Sequence, residues 1–529
     1  MQTTRDAICN PPPGGTRTGA LMEPETQGGT NSALQFSMMK TLRSTYLISA
    51  FTLFLPAIPA SADEPGDEQI SHAVDARLFH DPLVDANDID VTSSEGVIEL
   101  RGRVQNLPQK MRAANLAETR RGVRSVVNLL KVIPEPRDDD AIHRDVERAL
   151  RDRPASETYE ISAGVEDGVV TLSGEFTSWA MKALAADIAS GVLGVREVVD
   201  EIDVDYAGER DDEEIRKHIE LRLTRNVWTR TPAAAVEVKN GAVVLSGSAG
   251  SAAQRTVMRR LALVDGVESI DDSRVVVSPF SKDSAGRPGF VSLSDEEILE
   301  AIEDALILDP RILSINLEVD VLNGTVTLYG SVITLSGRRA ADEAAHNTAG
   351  VHLVSNLLKV RPTTRPSDDH LAEHVQLALA SDAIVSSFRN SVRTRGGRVW
   401  LMGEVDSRHE SLRADNVAAS IPGVTEVFNL LEIADEVASA PRSSRTVPRR
   451  GRAKSGDDLL KSVETELYWS WNVDRDAVTV EVDQGTVILT GEVGSRAEFR
   501  AAELQAREAG AGWVENRLTV VPTSRETGE

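Results

Sequence analysis

The pair of histidines in His370-Leu371-Ala372-Glu373-His374 is the feature of this sequence that most resembles an enzyme site. Its spacing fits the H-x-x-E-H pattern of zinc proteases, which places both histidines on one face of a helix to bind the metal. No other histidine recurs at a matching position that would supply a third ligand. A solvated helix face is therefore the preferred interpretation. We expect no metal, no cofactor and no catalytic residue, and zinc-dependent hydrolysis stays a remote alternative.

A group of cations beside aromatic residues is the second feature with chemical potential. Tyr468-Trp469-Ser470-Trp471 stands where a helix is predicted to end, and Trp228 occupies a similar place earlier in the chain as a weaker candidate. Residues 437–456 contain no acidic side chain, and their cations are Arg442, Arg445, Arg449, Arg450, Arg452 and Lys454. Basic residues beside interfacial tryptophans suit anionic lipid headgroups. These cations, with Trp469 and Trp471, form the predicted lipid-binding site, and a flexible linker beside ordinary core aromatics is the alternative.

The charge and the cysteine content exclude several classes of protein. The chain has 83 acidic and 58 basic residues, a formal net charge of −25, which disfavours nonspecific binding of nucleic acid. Its single cysteine, Cys9, lies ahead of the export signal described next. The mature chain would therefore contain no disulfide, no thiol nucleophile and no cysteine–zinc site.

Residues 39–62 have the pattern of a cleaved secretory signal peptide. A short basic region precedes a mostly apolar run from Tyr46 to Ile58, and Ala60-Ser61-Ala62 provides a small-residue cleavage site. The apolar run is short for a membrane span. We therefore expect export with cleavage after Ala62, and we interpret residues 1–38 as a misassigned N-terminal extension.

Glycines recur at fixed spacings through six repeats of the chain. In each repeat two glycines stand six residues apart, a third follows 19 or 20 residues later, and an Asn or Asp stands six residues beyond the third. The glycine pairs, which we interpret as structural, are Gly96/Gly102, Gly168/Gly174, Gly241/Gly247, Gly324/Gly330, Gly397/Gly403 and Gly485/Gly491. The third glycines are Gly122, Gly194, Gly266, Gly350, Gly423 and Gly510. Three spacings held through six copies indicate a repeat architecture built from one small unit.

The glycines also indicate the structure of the unit. The first glycine ends dipeptides such as Asn323-Gly324, which favour the two-residue turn of a β-hairpin. In the following strand the two-residue period places Val326, Leu328 and Val332 on the same face as the second glycine, Gly330. We expect the missing Cβ of this second glycine to let a helix backbone approach the strand.

Helices are predicted on both sides of the hairpin. Ser294 and Glu297 form a capping box at the start of one helix, and an Ala-rich helix such as residues 181–189 follows the second strand. A right-handed crossover makes the last strand parallel to the second. The predicted fold class is α/β (α+β), with six tandem α-β-β-α-β modules. Each module is a small three-stranded mixed sheet with two helices on one face.

The repeat unit resembles the BON domain. The resemblance rests on the run Asn-Gly-x-Val-x-Leu-x-Gly, a helix, and then Gly-Val-x-x-Val-x-Asn-x-Leu, which modules one and four match best. The predicted modules one to six are residues 63–134, 138–206, 211–278, 294–362, 367–435 and 456–522. Linkers are predicted at 279–293 and, rich in cations, at 436–455, so that modules one to three, four and five, and six would form three groups.

The resemblance implies a periplasmic or envelope protein without catalytic residues, connected with osmotic or envelope stress. Its expected partners are the phospholipid surface of the envelope or envelope proteins, with no nucleic acid and no small-molecule substrate. Six modules favour a scaffold or a multivalent binder, because linked weak sites gain avidity. A holdase-type chaperone is the first alternative.

Overall fold

The computed structural model describes residues 65–152, 161–206, 210–229, 234–279, 293–385, 391–433 and 456–521. Within these residues each of the six modules has the order helix, strand, strand, helix, strand. The predicted α-β-β-α-β unit is therefore confirmed in all six repeats. None of the helices in this part of the chain is both long and apolar enough to cross a bilayer.

Each module contributes a first helix ahead of the hairpin and a second helix after it. The first helices are Asp67–His80, Asp139–Arg151, Asp212–Arg225, Asp295–Leu308, Asp368–Ala380 and Gly456–Trp469. The second helices are Leu107–Glu118, Trp179–Ser190, Ala252–Leu261, Leu335–His346, Arg408–Ser420 and Arg496–Glu508. The predicted capping box of module four is present, because Ser294 Oγ accepts the amide of Glu297 and the Glu297 carboxylate accepts the amide of Ser294.

The strands follow the same repeat. The first strands are Ile89–Ser94, Ser162–Glu166, Ala234–Lys239, Ser314–Leu322, Ser391–Arg395 and Val478–Asp483. The second strands are Val97–Val104, Val169–Phe176, Ala242–Ala249, Thr325–Val332, Arg398–Val405 and Thr486–Val493. The third strands are Ser125–Asn128 with Lys131–Val132, Glu197–Val204, Ser269–Val277, Leu353–Asn356 with Lys359–Val360, Glu426–Ile433, and Trp513–Asn516 with Thr519–Val520.

The second strand is the centre of every sheet. It pairs antiparallel with the first strand and parallel with the third, as in module four, where Val321 faces Val326 and Val354 faces Val326 from the other side. The predicted right-handed β-α-β connection accounts for the parallel pair. Both helices of module four pack on one face of this sheet, and Ile302 and Ala341 share a core with Leu328.

The first glycine of each repeat closes a tight hairpin turn. In module four both central residues have positive φ, +49° at Asn323 and +68° at Gly324, which is the geometry of a type I′ turn. The same pair of positive φ angles occurs in all six hairpins. The hairpin prediction is therefore confirmed.

An aspartate at the start of the first helix holds this turn in place. In module four the Asp295 carboxylate accepts the amides of Asn323, at 2.7 Å, and Gly324, at 2.9 Å. The aspartates at the same place in modules one, two, three and five also accept turn amides. Module six has Gly456 instead. Two otherwise free amides are thereby satisfied by one carboxylate, which ties the helix to the hairpin.

The second glycine allows a close approach, but of a different element from the one expected. A Cβ on Gly330 would lie 2.1 Å from the carbonyl oxygen of Asn316, in the adjacent first strand. Gly102 and Gly491 have the same relation to the backbone at the entrance to the first strand. The prediction of a helix backbone at this point was wrong. The irregular start of the first strand, where its backbone turns toward the second strand, is what needs the space.

The second glycines of modules two, three and five have positive φ angles as well. Gly174, Gly247 and Gly403 are half-buried on their second strands, and Gly247 lies in register between Ala234 of the first strand and Val275 of the third. Their φ angles are +138°, +127° and +129°, which a residue with a side chain rarely adopts. The conformation of the strand at these three positions is therefore a reason for glycine that the sequence analysis did not give.

The Asn or Asp after the third glycine ties the last strand to the second helix. The side chain of Asn356 donates to the carbonyl of Arg338 at 2.9 Å and accepts the amide of Leu358 at 3.2 Å. Modules two and three have an aspartate, which cannot donate when ionised. There Lys182 lies 3.6 Å from Asp200 and Arg255 lies 3.9 Å from Asp272, so a cation on the second helix replaces the donor.

Replacing Gly330 with alanine is expected to destabilise module four by about 2–3 kcal/mol, because the residue has φ +108° and its Cβ would meet the backbone of Asn316. Gly164 is the matched control, since a Cβ there has no atom within 4 Å. Thermal unfolding of both variants measures the effect. A Gly330→Ala protein as stable as Gly164→Ala would contradict the proposed close approach.

The helix-to-turn bond predicts an acid dependence. The amides of Gly241 and Asn240 lower the pKa of the Asp212 carboxyl below its usual range. A lowered pKa in the folded state means that the stabilisation is present above the unfolded-state pKa, about 3.9, and is lost as the pH falls through the lowered value. Asp212→Asn should therefore lower the midpoint of thermal unfolding at pH 7, and the difference from wild type should shrink in acid.

The control for this prediction is Glu296→Gln, which removes a helix-start charge from an exposed residue. Its midpoint should stay near that of wild type at every pH. A difference between Asp212→Asn and wild type that is the same at pH 7 and at acid pH would rule out the ionised carboxylate as its source.

Candidate functional site

The predicted lipid-binding site divides between two parts of the chain. Its cations, Arg442, Arg445, Arg449, Arg450, Arg452 and Lys454, lie outside the described residues, so their role stays a prediction. Trp469 and Trp471 are described, and both are half-buried.

Both tryptophans pack between modules. Trp469 packs against the hydrophobic core of module one, and its carbonyl accepts the amide of Arg121 at 2.9 Å. The ring of Trp471 lies 5.4 Å from that of Trp228, which in turn packs against the core of module six. The predicted contact of Trp469, Trp471 and Trp228 with lipid headgroups stays a prediction. The structure gives all three a role in joining modules.

Modules pair through short backbone bridges at equivalent positions. In each bridge the residue just after the first helix of one module meets the loop after the second helix of its partner. The bridges are Arg120 with Ser470, Val192 with Asp382, and Asn226 with Thr348. Module one therefore pairs with module six, two with five, and three with four.

Modules one to three also contact one another in a closed cycle. Leu107 of module one packs against the core of module two, and the indole of Trp179 in module two donates to the carbonyl of Val267 in module three at 2.6 Å. Ala252 of module three lies in the core of module one, and its amide bonds to the carbonyl of Val123 at 3.3 Å.

Modules four to six make two of the three corresponding contacts. Leu335 of module four lies in the core of module five. Arg500 of module six lies 3.9 Å from Asp342 of module four.

These contacts change the grouping expected from the linkers. The cycle of modules one to three, the contacts of module four with modules five and six, and the three pairs replace the expected groups of three, two and one modules. Sequence reasoning missed the pairing because the contacting residues are as much as about 350 positions apart, as in Arg120 and Ser470.

The histidine pair of module five faces solvent. His370 and His374 are both exposed on the first helix. Among the described residues no group of three or more His, Cys, Asp or Glu side chains is arranged to hold a metal ion. The helix-face interpretation therefore agrees with where these two side chains lie.

A cavity of about 680 Å³ opens where modules two, three and four meet. Two pairs of its polar or charged side chains join modules three and four. His218 Nε2 lies 2.6 Å from Asp304, and Arg225 lies 2.6 Å from Glu300. Since charges of both signs line the cavity beside apolar side chains, it favours no one class of ligand.

The sheet faces turned away from the helices carry exposed apolar side chains. In module four Leu353 and Leu357 are 55% and 53% exposed. In module five Leu430 is 56% exposed, and the half-buried rings of Trp400 and Phe428 stack at 5.1 Å on the same face.

The outer sheet face of module one has a similar composition. Val127, Leu129 and Ile133 are exposed there, next to the exposed Lys131. In module two the corresponding third strand alternates Val199 with acidic residues. The sheets of modules one, four and five thus carry exposed apolar side chains, and module six exposes Trp513 on its third strand.

Comparison with known proteins identifies the repeat. The sequence profile of the BON domain matches residues 66–134, 138–206, 211–279, 294–362, 367–435 and 455–522. Osmotically-inducible protein Y of Escherichia coli (strain K12) is 34% identical over 146 residues, which are 26% of this chain and 73% of that protein. The 21 kDa hemolysin of Actinobacillus pleuropneumoniae is 25% identical over 152 residues, 28% of this chain and 73% of its own length.

A likeness to a solved structure is weak. CdsD, a structural protein of the type III secretion system of Chlamydia trachomatis, aligns with 42% of this chain and 93% of its own, at 18% identity and a TM-score of 0.12.

Trp469→Ala should cost about 2 kcal/mol of unfolding free energy, because a half-buried indole loses its contacts with module one. Trp513→Ala in the same module is the matched control, since that side chain is 77% exposed and should be dispensable. Chemical denaturation followed by circular dichroism compares them. Equal stability of the two variants would contradict the packing role.

Proposed function

Because this chain belongs to the BON domain family, we propose that it is an exported, non-catalytic envelope protein that binds phospholipid surfaces through several modules at once. The observation that carries this proposal is the set of exposed apolar side chains on the outer sheet faces of modules one, four and five.

An envelope location is supported by two independent features. Osmotically-inducible protein Y, which shares 34% identity with part of this chain, is by its name induced by osmotic stress. The family resemblance implies a periplasmic or envelope location. Residues 39–62 have the signal-peptide pattern and lie outside the described residues. Cleavage after Ala62 would release the six modules into the periplasm.

The apolar faces suit the boundary between water and lipid. Large apolar side chains that stay exposed mark surfaces that contact other molecules. Trp400 and Phe428 are aromatic, and Arg393 on the neighbouring strand is exposed and pairs in register with Trp400. An aromatic pair beside a cation is the combination found at lipid headgroups.

Several weak faces on one chain bind more strongly than one. Each face exposes only a few side chains, so a single module would bind weakly. Linked sites raise the effective concentration for the second and third contacts. The cations of residues 442–454 would add attraction to anionic lipid, which salt would weaken.

Cosedimentation of residues 63–529 with phosphatidylcholine vesicles, and with vesicles that also contain phosphatidylglycerol, tests this function. Binding is expected to be stronger with the anionic vesicles and to fall with added salt. Replacing Leu353, Leu357 and Leu430 with serine should reduce the bound fraction roughly tenfold. Each leucine side chain is worth about 1.5–3 kcal/mol when fully buried, and contact with the vesicle surface buries only part of it.

The matched control replaces Ile307 and Leu504, which are 82% and 54% exposed but lie on helices. These changes should leave vesicle binding intact. If neither vesicle binds the wild-type chain, the lipid function is excluded. Suppression of aggregation of an unfolded client under the same conditions would then favour the holdase alternative.

A further inference from the structure

Two repeat positions meet at the centre of each module pair. The helix position lies on the first helix, ten residues after the place held by Asp67 in module one and by Gly456 in module six. The loop position lies two residues before the third glycine. Module one has arginine at both, Arg77 and Arg120, and module six has glutamate at both, Glu466 and Glu508.

These four side chains bond reciprocally. Arg77 Nη2 lies 2.5 Å from Glu508 Oε1, and Arg120 Nη1 lies 2.9 Å from Glu466 Oε2. The helix position of each module thus bonds to the loop position of the other. The arginine side chains are only 7% and 2% exposed, so both charges are removed from solvent.

The other two pairs use different residues at the same positions. Modules two and five meet there with uncharged side chains that line one small space between them, and these are Ala149, Val192, Ala378 and Ile421. In the pair of modules three and four, only one of the four positions carries a charge. The residues there are Arg222, Val264, Ala305 and Thr348. Each pair therefore carries its own pattern of charge at one shared geometry.

The buried charges are not the most stabilising choice for this geometry. Arg77 Nε, Arg120 Nε and Glu508 Oε2 are buried without a hydrogen-bond partner among the described residues. Apolar side chains of similar volume commonly stabilise such a site as well or better. Modules two and five have uncharged residues at these positions, so the shared geometry does not require charge. Stability alone therefore does not account for the buried charges between modules one and six. A role in selecting which module pairs with which does account for them.

We propose that the two arginines of module one and the two glutamates of module six are the residues that select these modules as partners for each other. Pairing of module one with a second module one would bring four arginines together, and pairing of two modules six would bring four glutamates together. Pairing of module one with module two or five would leave Arg77 and Arg120 buried against Ala, Val or Ile. Each wrong pair contains an uncompensated buried charge.

Charge reversal in the full mature chain, residues 63–529, tests the proposal by differential scanning calorimetry. The variants are R77E/R120E, E466R/E508R and the combination of all four changes. Each double reversal should lower the midpoint of the first unfolding transition by roughly 5 °C or more. In the combined variant, module one carries the two glutamates and module six the two arginines, so each pair again has opposite charges. Its midpoint should return to within roughly 2 °C of wild type.

The control is R101E/R517E, which changes the net charge of the chain as much as R77E/R120E does, with one substitution in module one and one in module six. Arg101 and Arg517 are exposed and pair with neighbouring glutamates on their own sheets, so their reversal should leave the midpoint unchanged. If a double reversal fails to fold, the combined variant still decides the question. A combined variant as unstable as either reversal, or reversals without effect, would overturn the proposal.

Discussion

Contact between the helix sides of the modules is the interaction on which this structure depends. A unit of roughly 70 residues buries too little surface to be stable with a wide margin. Its core here is aliphatic with few aromatics, and it includes small side chains such as Ala113 and Ala117. Other modules supply what the unit lacks: Trp469 and Ala252 complete the core of module one, and Leu335 completes that of module five. Modules that complete one another's cores need not be stable alone.

The same contact decides which surface is left for function. Since the helices and the loops after them make the bridges between modules, the opposite faces of the sheets stay open. Repetition of one unit would make six equal faces, but the sequence does not repeat on this side. Apolar residues stand on the sheets of modules one, four and five, while module two presents acidic ones. The modules share one backbone geometry but differ in their outer sheet faces. This combination suits a scaffold whose modules contact different partners.

Much of the module could be predicted from the sequence because local rules set it. The spacing of Gly324 and Gly330 predicts the turn and the central strand, and Ser294 with Glu297 predicts the helix start. The role of Asp295 was missed, although the sequence carries a signal for it: an aspartate precedes the first glycine by 29 residues in five of the six repeats. An acidic helix start already has a sufficient local explanation in the helix dipole, and that explanation gives no indication of a long-range bond. The junctions could not be predicted, because Trp469 has the same local pattern whether it meets lipid or another core.

Small-angle X-ray scattering of residues 63–529 measures most directly whether the modules close on one another. The paired arrangement predicts a radius of gyration near that of a compact chain of this length, roughly 23 Å from the usual scaling, with a modest addition from the linkers. The pair-distance distribution should have a single peak. A radius of gyration twice as large, with the elongated distribution of six modules on a string, would contradict the closed arrangement and the pairing of module one with module six.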